Sequence, residues 1–158
     1  MKRTKKRMTV CLTLLVLILL FIWGNSCAPA EVSAAFSKWV RMLILPLLGG
    51  GASAADKLGE GLLRKIAHGT EFCGLGLCLS WLMYMTRSKK YQAILLAVFC
   101  GLVAAAIDET IQYFVPGRGP GLLDVGIDMF GICIGVGIIT MGLMIRHGRL
   151  NKLEEIKQ

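Results

Sequence analysis

From Ala93 to Ile107 the chain runs for fifteen residues, AILLAVFCGLVAAAI, without a charge, and then meets DETIQYFVPGR. No other feature limits the fold so strongly. A transmembrane helix needs roughly 20 mostly apolar residues, within a range of about 17 to 25. Four segments meet or approach that length: 9–25, 66–85, 91–114 and 123–145. The whole chain is 55% hydrophobic with a mean hydropathy of +0.65. A water-soluble core of 158 residues cannot hide so much apolar surface. The expected fold is all-α: one integral membrane domain, a four-helix bundle.

The net charge of +8 is compatible with nucleic-acid binding, but the positions of the charges speak against it. Lys2, Arg3, Lys5, Lys6 and Arg7 precede the first apolar run. Arg87, Lys89 and Lys90 separate the second from the third, and Arg146, Arg149, Lys152 and Lys157 follow the fourth. Basic residues flanking apolar spans mark the cytoplasmic side. With the N-terminus inside, twelve of the eighteen basic residues fall inside, opposed only by Glu154 and Glu155. This predicts a multi-pass protein of the bacterial cytoplasmic membrane with both termini cytoplasmic, membrane lipids as its partners, and no nucleic acid. The basic start, apolar run and SCAPA stretch also resemble a secretory signal peptide, a second reading of the first span. Trp23, Trp39, Trp81 and Tyr91 fit an aromatic belt.

Between the first two spans, WVRMLILPLLGGG holds an apolar run interrupted by Arg41 and Pro46. It is too short and broken to span, so an interfacial helix or a partial re-entrant hairpin is expected, followed by a flexible GGGASAAD turn. Five of the six cysteines (Cys11, Cys73, Cys78, Cys100, Cys133) lie in apolar runs and behave as small hydrophobes. With no CxxC pair or Cys/His cluster, no disulfide and no metal site are expected.

Ionisable residues within spans are expensive and stand out as candidate functional groups. Three sets appear, all on the predicted outer side. Lys65, His68 and Glu71 recur at intervals of three in RKIAHGTEF, one drifting stripe on a helix. Asp108, Glu109 and Gln112 share a sector at the end of the third span. The VPGRGPG loop stops that helix and returns Arg118 towards the bundle. Asp124 and Asp128 are one turn apart at the start of the fourth span, where the helix dipole favours acids. Below them Gly131 and Gly135 form GxxxG, a pattern for close helix packing. Three helix ends are thus expected to gather these nine residues at one level, with Arg118 in a bidentate pair with Asp108 or Asp124.

RKIAHGTEF, DETIQYFVPGR and DVGIDMFGICIG, in that order and separation, resemble the VanZ-like family of small bacterial membrane proteins over about residues 10 to 145. The resemblance maps the family's Lys-x-x-His onto Lys65 and His68, its acidic-aromatic pair onto Glu71 and Phe72, and its Asp-Glu and Gln onto Asp108, Glu109 and Gln112. Its Pro-Gly-Arg loop falls on Pro116, Gly117 and Arg118, and its two aspartates on Asp124 and Asp128. Two positions depart. Ile111 stands where members often have histidine, and Gly119-Pro120-Gly121 replaces a polar loop, which removes a second titrating base and a hydroxyl. The family is named for a protein linked to teicoplanin resistance, which implies a role in the cell envelope.

Three readings of the cluster remain open. It is a salt-bridge network locking helix ends. Or it is an outward-facing site for an anionic amphiphile, such as a lipid-linked cell-wall intermediate, a teichoic-acid component or a lipoglycopeptide. Or it is an enzyme site for a lipid phosphate, with His68 or Glu109 as base, Arg118 as electrostatic stabiliser, and Asp108, Asp124 and Asp128 as ligands of a hard divalent cation. No catalytic residue, cofactor or oligomeric state is identifiable.

Overall fold

A computed structural model describes residues 2–47, 60–87, 89–119 and 121–155. Helix is the only regular structure among them. Helix α1 covers Lys2–Ser26 and α2 Ala30–Leu47. Helices α3, α4 and α5 cover Glu60–Thr86, Lys90–Tyr113 and Leu122–Glu155.

The breaks fall where backbone chemistry requires them. Pro29 stops α1 and starts α2, since proline disfavours a helical residue before it but fits the first turn after it. The segment expected as an interfacial helix or a partial re-entrant hairpin is, over the described residues, one continuous helix that ends one residue past Pro46, in line with the first alternative. Pro46 is the penultimate residue, so the N–H it lacks removes one bond of the last turn only, and the helix ends directly after it. The expected GGGASAAD turn lies outside the described residues.

Two short connections set the topology. With only a short link between Thr86 and Lys90, α4 runs back along α3, and after Tyr113 the chain reverses again so that α5 runs back along α4. The start of α3, the end of α4 and the start of α5 therefore share one end of the bundle. Helix α3 is the hub and packs against each of the other four.

The interior combines large apolar side chains, Ile22, Phe72, Leu75, Leu79 and Ile132, with a small-residue face on α4. Ala93, Ala97, Gly101, Ala104 and Ala105 form the buried face of α4. Ile132 of α5, fully buried, is pressed between Gly76 of α3 and Gly101 of α4. The GxxxG seam works as expected: a Cβ on Gly131 would strike the Gly69 carbonyl oxygen, and one on Gly135 the Cys73 carbonyl oxygen. Close main-chain approach of this kind is how helices associate where lipid supplies no hydrophobic drive.

Large apolar side chains point outward. Leu95 is 64% exposed, Phe99 61% and Phe130 69%. In water such a surface would be an aggregation hazard; in a bilayer it is the lipid face. Helices spanning Thr4–Ser26, Lys90–Tyr113 and Leu122–Arg149 are long and apolar enough to cross a membrane, and α3 completes the bundle. Trp81 and Tyr91 are exposed. Trp23 instead turns inward, its indole N–H reaching the Ala104 carbonyl at 3.5 Å.

Candidate functional site

The polar residues singled out in the sequence converge at the shared end of α3, α4 and α5. Asp108 and Asp128 are almost completely buried, at 0% and 1% exposure, and Glu109 and Gln112 are buried too. Burying charges without partners is costly, so their bonding decides what the cluster is. The Gln112 amide donates to Asp108 Oδ2 at 2.7 Å and more weakly to Ser26 Oγ at 3.4 Å. Glu109 Oε2 accepts the Gly121 N–H at 3.0 Å, tying α4 to the loop before α5. His68 Nδ1 lies 3.9 Å from both Asp108 Oδ2 and Asp128 Oδ1. Lys65 Nζ lies 3.9 Å from Asp124 Oδ1 at the more exposed rim.

A fourth helix end joins them. Asn25 at the close of α1 donates to Glu71 Oε1 at 2.9 Å. Asn25, Ser26 and Arg64 escape the sequence reading. Stepping by three from Lys65 passes over Arg64, which stands at i, i+4 to His68 and i, i+7 to Glu71, so helical spacing alone contains the signal. Asn25 and Ser26 offer only polarity at the end of an apolar run.

Arg118 departs from expectation. The loop does carry it back to the helices, helped by Gly117 at φ 77°, a conformation suited to glycine. No bidentate pair with Asp108 or Asp124 forms. Arg118 Nη2 instead donates to the Asn25 carbonyl at 3.2 Å. The terminal carbonyls of α1 lack helical partners and carry the negative end of the helix dipole, so they attract the guanidinium. Burial holds the Arg118 pKa below its usual value and the positive charge of Arg64 acts in the same direction, while Asp108 and Glu71 oppose them.

His68 stands between two spaces. On one side is a cavity of about 10 Å³ whose walls include Gln112, Asp124 and Asp128. On the other is an open groove of about 390 Å³ beside α2, lined by Asn25, Arg64, His68, Glu71 and Arg118, with Phe21 and Val32 as apolar walls. The divalent-cation set read from the sequence is also redrawn. Among the described residues, His68, Asp108 and Asp128 bring ligating atoms within 4.8 Å of one another, whereas Asp124 lies towards Lys65.

Against known proteins, a family model described as VanZ/LLP1 matches residues 11–145. No curated protein and no solved structure matches the chain.

Proposed function

The chain belongs to the VanZ/LLP1 family, and from that premise we propose that it is an envelope protein whose groove binds the anionic headgroup of an amphiphile. A lipid-linked cell-wall intermediate or a teichoic-acid component has the required chemistry. The observation that carries this reading is the pairing of Arg64 and Arg118 in one groove with apolar walls. Two like charges facing one space favour an anion between them. Arg118 Nε and Nη1 are buried with no hydrogen-bond partner among the described residues, and a guanidinium fork suits phosphate or carboxylate. Phe21 and Val32 offer an acyl chain a path towards the lipid face. The distribution of basic residues supports an outward-facing groove with both termini in the cytoplasm. Masking a cell-wall target would lower its exposure to a glycopeptide, and this is how the family's association with teicoplanin would extend to this chain.

The test is binding of a polyprenyl phosphate to the full-length protein in nanodiscs, with phosphatidylcholine as the neutral control. Losing charge-assisted hydrogen bonds of about 1.5–3 kcal/mol should weaken binding roughly 10- to 100-fold in Arg118→Ala. Equal binding of the charged and neutral lipids, or an unchanged affinity in both Arg118→Ala and Arg64→Ala, removes the proposal. A second reading, a network tying helix ends, is favoured by the Asn25–Glu71 and Gln112–Ser26 bonds. It is the better account if these variants lose the fold rather than the ligand.

A further inference from the structure

We propose that His68, Asp108 and Asp128 form a site for one divalent transition-metal ion of the Zn²⁺ or Mn²⁺ class. The proposal does not rest on the groove, which lies on the other side of His68.

The first observation is the separation of the groups. His68 Nδ1 is 3.9 Å from a carboxylate oxygen of each aspartate. That is too long for a hydrogen bond. An ion cannot sit midway between His68 and both aspartates at once, but the three donor atoms lie within 4.8 Å of one another, so bonds of about 2.0–2.2 Å need only a small inward turn of the side chains.

The second observation is independent of the first. Both Asp128 carboxylate oxygens, and Oδ1 of Asp108, are buried with no hydrogen-bond partner among the described residues. Asp128 lines the small cavity, whose volume of about 10 Å³ matches a single water-sized centre. Arg64 and Lys65 line the same cavity, yet neither forms an ion pair with Asp108 or Asp128 among the described residues. Two buried carboxylates without a near cation are costly, and a divalent ion supplies the missing charge.

The donor set narrows the choice of ion. An imidazole with two carboxylates suits Zn²⁺ or Mn²⁺ better than Mg²⁺ or Ca²⁺, which favour oxygen alone. The surroundings also fit a metal centre. Gln112 holds one oxygen of Asp108, and Ser26 in turn receives the Gln112 amide, the kind of outer support that orients ligating carboxylates.

The experiment uses the full-length protein in detergent, stripped with a chelator and titrated separately with Zn²⁺, Mn²⁺ and Co²⁺. We expect saturable binding of one ion per chain and a Co²⁺ spectrum without a thiolate charge-transfer band. Asp128→Asn and His68→Gln should each weaken binding at least about tenfold, and so should the outer-shell variant Gln112→Leu. Cys133→Ser, at an exposed cysteine outside the cluster, should leave binding unchanged. Absence of saturable binding to the wild type overturns the proposal. So does a thiolate band, which would assign the ion to one of the free cysteines, or undiminished affinity in a folded Asp128→Asn variant. The wild-type titration and spectrum decide the matter even if a variant fails to fold.

Discussion

Glu109 illustrates what a single residue adds to the cluster. It holds the Gly121 N–H at 3.0 Å, and this bond fixes the loop that delivers Arg118 to α1. A hydrogen bond to a charged group is worth about 1.5–3 kcal/mol, so Glu109→Ala should lower stability by about that amount in detergent melts. Glu109→Gln keeps an acceptor oxygen and should lose less; equal losses would show that the bond is not what matters. The identity of these residues is legible in the sequence, because a charge inside an apolar run is conspicuous. Their partners are not. Arg118 bonds a carbonyl 93 positions away, and a backbone oxygen has no signature in a list of side chains.

The helices follow the same division between what spacing encodes and what packing decides. Apolar runs and Gly/Pro breaks locate α1, α4 and α5, and GxxxG marks a close-packing face on α5 whose partner, α3, only the structure reveals. Helix α2 is legible only as one of two alternatives, because length and polarity do not choose between an interfacial helix and a re-entrant hairpin. The seam yields a sharp comparison. Gly131→Ala or Gly135→Ala places a methyl group on a main-chain oxygen of α3 and should cost about 1–3 kcal/mol or more, read as a lower melting temperature. Gly137→Ala, on the same helix with open space beside it, should be neutral or slightly stabilising. A similar loss at Gly137 would mean that helix composition, not contact, sets the penalty.

At the scale of the molecule, the proposed orientation with both termini in the cytoplasm rests on the basic flanks, and labelling can check it. Cys27 is exposed beside the cluster. In a variant retaining it as the sole cysteine, an impermeant maleimide should react in intact cells without lysis; reaction only after lysis would reverse the topology. The bonds of the α1 terminus carry a further consequence, for biogenesis. Asn25 and Ser26 pair with residues 46 and 86 positions later, and Arg118 reaches back 93. A nascent chain leaving the ribosome carries Asn25 and Ser26 long before Glu71, Gln112 and Arg118 have been made, so these bonds at the α1 terminus cannot form until the later helices have been synthesised.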